Sequence, residues 1–248
     1  MNTIIPIPSF SEQNRIVEIL DTFTSSIENL KQQIAERRRQ YEFYRDQLLD
    51  LEGKEGVIIK KLIDVLQQPI TDGPHETPIL HEEGIPFISV EAIDNGKINL
   101  NKKRGYISKE YDLLCRKKYA PQLNDIYFVK SASVGKVAIV ETNEVFNIWS
   151  PLAAIRVNKN NNPKFFYYLL QTNKIQDLAR KKSSVGSQPN LSMRVLEQFD
   201  VIVPSLQEQS RIVSILDTFE VSIANLEAQL KQREKQYDYY RNKLLTFE

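Results

Sequence analysis

Three short clusters concentrate the positive charge of this 248-residue chain: Lys102-Lys103-Arg104-Gly105-Tyr106, Arg116-Lys117-Lys118-Tyr119 and Arg180-Lys181-Lys182-Ser183-Ser184. Each sets cations beside an aromatic ring, a glycine or hydroxyls, a mixture that holds phosphate oxygens through charge and short hydrogen bonds. A solvated surface patch has the same composition, so both readings stand for any one cluster. The turn Ser131-Ala132-Ser133-Val134-Gly135-Lys136 adds the cation Lys136 and small residues that would let another backbone come close; a plain strand connection is an equal reading. Polar side chains suited to base edges sit in two loops. Asp72, His75 and Glu76 occupy the first; Gln188 and Asn190, whose amides pair well with adenine, occupy the second. Ordinary turn polarity explains these residues too.

Reaction chemistry is poorly served. The chain lacks the Asn/Asp-Pro-Pro-aromatic motif of an amino-methyltransferase, a glycine-rich cofactor loop and the phosphate-binding Gly-x-x-x-x-Gly-Lys-Ser/Thr. Gly135-Lys136 does not stand in the last pattern, and Glu52-Gly53-Lys54 has nuclease spacing without a Pro-Asp strand partner. His75, His81 and Cys115 make no zinc set. We therefore expect no catalytic residue, no metal and no cofactor.

The net charge is +1, but it is unevenly spread. Residues 1–52 carry −3, residues 201–248 carry −1 and the 148 residues between them carry +5. A basic middle suits a polyanion, although many metabolic enzymes match that value. A lone cysteine forbids an intrachain disulfide and fits a reducing cytoplasm. With no signal sequence at the amino terminus and no apolar run near the length of a span, no membrane association is expected.

The elements that must carry these clusters are dominated by a repeat. Residues 5–52 return as residues 201–248 at a constant offset of 196, with 25 identities in 48 positions. In the first copy Leu20, Phe23, Ile27, Leu30, Arg37, Tyr41 and Tyr44 fall on one seam; in the second Leu216, Phe219, Ile223, Leu226, Arg233, Tyr237 and Tyr240 do the same. Spacings alternating between four and three predict a heptad helix in each copy. Ser9-x-x-Glu12 and Ser205-x-x-Glu208 predict capping boxes, in which the glutamate reaches back to the cap amide.

Between the copies, β-branched and aromatic residues set between Gly, Asn and Asp breaks predict strands at 57–60, 85–90, 125–130, 137–140, 145–149, 153–157 and 199–203, and a short strand at 4–7 is expected to precede the first helix. A short helix is expected over 61–66, a turn-rich loop over 71–78 and a hairpin turn over 94–97. One helix is expected from Pro163 through Leu178, and a short one over 192–198. The result is an α+β architecture: one mixed α/β head at 53–204, between a short strand plus helix at 1–52 and a second helix at 205–248. The first helix enters the head by its carboxyl end and the second leaves by its amino end, which predicts an antiparallel coiled-coil stalk.

The duplicated Pro-Ser-x-x-Glu-Gln-x-x-Ile-Val-x-x-Leu-Asp starts, the Tyr-x-x-Tyr-Arg-x-x-Leu-Leu ends and Ser187-Gln188-Pro189-Asn190-Leu191-Ser192 resemble the specificity subunit of type I restriction–modification enzymes. The loop Asp72-Gly73-Pro74-His75-Glu76-Thr77-Pro78 and Ile85-Pro86-Phe87-Ile88-Ser89 fit its target-recognition domain. That family alternates two target-recognition domains with two spacer helices; each domain reads one half of a split site on double-stranded DNA, and the helices dock methyltransferase subunits. The resemblance implies a non-catalytic, half-length form with a single recognition domain, partnered by a methyltransferase subunit and, through it, a restriction subunit. It acts as a homodimer or is a partial cassette, functional after recombination. It also implies that the Arg37, Tyr41, Tyr44 set and its Arg233, Tyr237, Tyr240 counterpart fix helix register and contribute to the methyltransferase dock; packing of the arginine stems alone is the plainer reading. A coiled-coil adaptor whose head binds protein is the alternative from a different class.

Overall fold

The computed structural model describes residues 7–184 and 189–246. In chain order the elements are α1 (Phe10–Leu48), β1 (Ile58–Lys61), β2 (Thr71–Asp72), β3 (Ile85–Ile88), β4 (Ile93–Asp94), β5 (Lys97–Ile98), β6 (Gly105–Ile107), α2 (Lys109–Arg116), β7 (Ile126–Val129), β8 (Val137–Ile139), β9 (Asn147–Ile148), β10 (Leu152–Ile155), α3 (Pro163–Leu170), α4 (Asn173–Lys182), α5 (Met193–Glu197), β11 (Asp200–Val203) and α6 (Leu206–Leu245). Short 3₁₀ turns punctuate the strands. The chain forms two compact units, Met1–Tyr44 with Ile215–Glu248, and Arg45–Ser214. The strand expected at 4–7 lies outside the described residues except for Ile7.

The first unit is an antiparallel helix pair. α1 and α6 run for 39 and 40 residues, about 60 Å each at about 1.5 Å per residue. The heptad spacing puts Ile27, Ile34 and Leu216 in the buried seam, flanked by half-buried Phe23, Leu30, Phe219 and Leu226. Phe23 stacks on Tyr240 with ring centroids 5.2 Å apart, and Tyr44 stacks on Phe219 at 5.6 Å. These are the same contact twice, because Phe219 and Tyr240 are the repeat counterparts of Phe23 and Tyr44. Arg37 and Arg233 are half-buried, and the Arg233 guanidinium lies 5.7 Å from the Phe23 ring centroid. An aromatic face accounts for its tolerance on the seam.

Both helix starts correct the capping-box expectation. Ser9 and Ser205 do accept from the amides of Glu12 and Glu208, at 3.3 and 3.2 Å. The glutamates turn forward instead of back. Arg15 donates to both oxygens of Glu12 at 2.8 and 2.6 Å, and Arg211 to both of Glu208 at 2.8 and 2.7 Å. Two charge-assisted bonds outcompete one bond to a neutral amide. Those bonds hold both carboxyls below the usual carboxylate range. The amides of Gln13 and Gln209 instead donate back to the carbonyls of Pro8 and Pro204.

The second unit is built on two main sheets. Strands β2-β10-β7-β8 form one, antiparallel throughout, and β6-β3-β9 form the other, where β3 and β9 run parallel. β7 and β10 are buried along their whole length, which explains their near-continuous apolar sequences, Ile-Tyr-Phe-Val and Leu-Ala-Ala-Ile. β4 and β5 make the expected hairpin, with Asn95 and Gly96 at φ 48° and 79° as its tight turn requires. β1 and β11 pair in a separate ribbon. The apolar helix opens at Asn162, whose side chain accepts from the Lys164 amide, with Pro163 at the first helical position.

Three features differ from the sequence expectation. The single helix over 163–178 is two, α3 and α4, because Thr172 adopts an extended backbone and its hydroxyl donates to the Leu169 carbonyl at 2.8 Å. Thr71–Asp72, expected in a loop, pairs with β10. No element is expected over 105–116, where β6 and α2 join the first two basic clusters into one strand–helix segment.

Candidate nucleic-acid interface

Each basic cluster ends or begins a regular element. Asn99, accepting from the Asn101 amide, sets a 3₁₀ turn that delivers Lys102 and Lys103 to the start of β6. Lys102 pairs with Asp94 at 2.6 Å, Lys103 lies 4.7 Å from the Tyr106 ring centroid, and the Arg104 guanidinium covers Trp149 at 4.2 Å. Ser108 caps α2, which carries Arg116 at its end. The basic residues then divide: Arg116 turns inward to Asp112 at 2.6 Å, Lys117 stays exposed, and Lys118 bonds Asp72. The third cluster closes α4, with Lys181 and Lys182 exposed and Arg180 paired to Asp177.

The loop at Asp72–Glu76 bonds the second cluster directly and connects to the other two through Trp149 and Lys130. Asp72 is 1% exposed and bonds Lys118 of the second cluster; Lys130 Nζ stands 3.3 Å and His75 Nε2 3.1 Å from its other oxygen, neither in hydrogen-bonding alignment. Gly73 and Pro74 lie along Ile148–Ser150, where Pro74 accepts from the Ser150 amide at 3.2 Å. A Cβ on Gly73 would stand 1.9 Å from the Ile148 carbonyl oxygen, so only glycine permits this approach. Trp149, on that same stretch, is the ring under Arg104 of the first cluster. Its indole Nε1 is buried with no hydrogen-bond partner among the described residues.

Lys130 leads directly to the third cluster. Ser131 bridges to Asn190, its hydroxyl donating to the Asn190 side chain at 2.6 Å, and the Asn190 amide donates to Ser184 Oγ at 3.2 Å. The turn from Ser131 to Lys136 and the end of α4 are thereby held together. Gly135, at φ 104°, is also forced: a Cβ there would stand 2.2 Å from Gln176 Oε1.

Of the expected base readers, His75, Glu76 and Asn190 are exposed, and Gln188 lies outside the described residues. Asp72 is placed otherwise. A carboxylate this deeply buried among cations organises the loop, and facing a base would strip those cations of their partner. Beside it, Pro74, His75, Tyr111, Cys115, Lys118 and Asn147 help to line a cavity of about 330 Å³. Burial pushes the Cys115 thiol and the Tyr111 hydroxyl upward from their usual values.

Sequence reasoning passed over Lys130, Trp149 and a buried network behind them. Asp125, 1% exposed, accepts from Nε and Nη2 of Arg156, each at 2.7 Å, from Tyr119 Oη at 2.6 Å and from the Gln122 amide at 2.9 Å. Asn147 donates to Asp112 at 3.0 Å. The chain's single tryptophan was the available signal for one of these. Among the described residues no cluster of His, Cys, Asp or Glu is placed to hold a metal, and no helix is long and apolar enough to cross a membrane.

Comparison with known proteins places this geometry. Residues 59–235 match the family model described as the type I restriction modification DNA specificity domain. The specificity subunit of an Escherichia coli type I restriction enzyme is 32% identical over 260 residues, covering 98% of this chain and 63% of that protein. This chain thus spans less than two thirds of that relative's length. A putative type I specificity subunit of Mycoplasma pneumoniae is 25% identical over 265 residues, covering 98% of this chain and 95% of that one. Among solved structures, a type I restriction–modification S subunit from M. genitalium shares the fold, with a TM-score of 0.66 at 18% identity over 97% of this chain and 62% of its own.

Proposed function

Because the chain belongs to the family of type I restriction modification DNA specificity domains, we propose that its head reads one half of a split duplex DNA site and performs no chemistry itself. In this reading the helices position a methyltransferase subunit on that site and, through it, a restriction subunit. The observation that carries the reading is the linkage of three sequence-distant basic clusters to one loop: Lys118 directly on Asp72, Arg104 through Trp149, and the third cluster through Lys130, Ser131 and Asn190. Exposed Lys117, Lys136, Lys181 and Lys182 then hold phosphates, together with Lys102, Lys103 and Arg104, while His75, Glu76, Gln188 and Asn190 face base edges. Arg116, Arg180, Ser183 and Ser184 brace those contacts. Residues 53–204 form the recognition domain in this proposal, with the spacer helices before and after it.

A second reading concerns two copies of the chain. The repeated stacking of Phe23 on Tyr240 and of Tyr44 on Phe219 favours it, since a helix pair so nearly symmetric suits two heads reading an interrupted palindrome.

The test begins with the methylome of cells expressing the chain with its cognate methyltransferase subunit, which yields the recognised site. Binding to that duplex is then followed from 50 to 200 mM salt. Affinity should fall by on the order of a hundredfold or more. Lys181→Ala with Lys182→Ala should weaken all duplexes alike and reduce the salt slope by about 2, whereas His75→Ala should change the preferred bases. Salt-independent binding, or the same uniform loss for both variants, overturns the assignment. An asymmetric methylated site refutes the two-copy reading alone.

A further inference from the structure

The two helices of the first unit are alike on their seam and opposite beside it. Lys31 faces Glu234 at 4.0 Å, and Arg38 faces Glu227 at 2.6 Å. Under the offset of 196, Lys31 is the counterpart of Glu227 and Arg38 that of Glu234. The two ion pairs are therefore one contact occurring twice, with both cations on α1 and both anions on α6. Over the same span the seam residues Phe23, Ile27, Leu30, Arg37, Tyr41 and Tyr44 are identical in the two copies, and Ile34 is matched by the equally apolar Leu230.

Replacing one helix by the other shows what this arrangement does. A second α1 in the place of α6 would preserve the aromatic stacks, because Tyr44 would take the position of Tyr240 and Phe23 that of Phe219. It would bring Arg38 against Lys31 twice. Two α6 helices would likewise keep the stacks and bring Glu227 against Glu234 twice. The apolar seam is indifferent to partner, whereas the flanking charges accept the unlike helix and repel the like one, as charges beside a coiled-coil seam do.

We propose that Lys31, Arg38, Glu227 and Glu234 are the selectivity key of helix pairing: where two copies of this chain meet through these helices, α1 of each lies on α6 of the other and never on a like helix. The proposal rests on the two-copy reading above but concerns which helices meet, and its test involves no DNA. All four side chains are 41–58% exposed, so the key works through relative preference and weakens as salt screens it.

The test uses two full-length variants, Lys31→Glu with Arg38→Glu, and Glu227→Lys with Glu234→Lys, distinguished by mass. Each has like charges facing across its own helix pair. Together they match only by exchange: the reversed α1 of one fits the reversed α6 of the other, and the two unchanged helices fit in turn. Co-refolding at low salt, followed by native mass spectrometry, should give a 1:1 mixed complex in excess of either homotypic species by on the order of tenfold. Raising the salt to 1 M should reduce that excess. The variant with all four reversals regains matched charges within one chain, so it should regain the parent's melting temperature and show no preference for either double variant, a control for simple misfolding. A mixture in statistical proportions, or no mixed species while the fourfold variant folds normally, overturns the proposal. DNA binding by the parent chain is unaffected by either result.

Discussion

Ion pairs do different work in the two units. Between α1 and α6 they are exposed and bridge separate helices, as with Arg38 and Glu227 at 41% and 45% side-chain exposure. The head has exposed pairs too, such as Lys102 with Asp94, but among the described residues it alone sinks carboxylates among strands with cations against them: Asp125 and Asp72 are each 1% exposed, with Arg156 at 15% and Lys130 at 10%. Exposed pairs contribute little stability because water and salt screen them, so they act on choice of partner. A buried carboxylate cannot be left alone, so it fixes the geometry of everything bonded to it. On the proposal above the helix pair selects, while the head holds shape.

The largest effect expected from this contrast is at Asp125. Asp125→Asn leaves Arg156 charged and buried without its partner, and should cost the head about 3–5 kcal/mol in urea denaturation. The matching neutralisation in the helix pair, Glu227→Gln, should cost about 0.2–1 kcal/mol and vanish at high salt. Equal costs would erase the distinction between the units.

A smaller effect comes from alkali. Burial, with the neighbouring Tyr127 and Asp125, pushes the Tyr119 hydroxyl far above its usual value, and burial does the same for Tyr127. In the unfolded chain these phenols ionise near pH 10. Their contribution is thus intact below pH 10 and is lost as pH rises above it, by about 1.4 kcal/mol per pH unit for each phenol that stays protonated in the fold. Thermal melts of the head from pH 9 to 11 should show that slope, and a flat profile would mean that the phenols are solvated.

The smallest expected effect concerns the repeat itself. Tyr44→Ala and Tyr240→Ala each remove one copy of the same stack and should each cost about 1 kcal/mol, equal within error. A twofold disparity in melting shifts would show that the two ends of the helix pair are not energetically equivalent.

Much of the architecture was legible before the fold was known. The heptad spacing located both helices, their connections to the head implied antiparallel pairing, and β-branched and aromatic residues between turn signals located β7 and β10. Shorter elements escaped. β6 spans 3 residues, too few for a period to declare itself, α2 confines its amphipathic pattern to 8 residues, and β2 is a strand only because β10 lies beside it. The site was half-legible. Its cations were visible as clusters, but Lys130 and Trp149 looked like ordinary residues of a strand end and a turn. Asp72 had the composition of a reader and the burial of an organiser.

The sequence alone determined what depends on local spacing: the repeat, the seam, the glycines of tight turns and the reversed charges at 31, 38, 227 and 234. Only the tertiary structure decided which charges are spoken for. Asp125 finds Arg156 across 31 positions and Asp72 finds Lys118 across 46, and nothing near either carboxylate in the chain announces its partner. Helical order arises from contacts three and four residues apart, so it is written in the local pattern. Burial of a charge depends on all the surfaces that close over it, and those come together only when the chain has folded.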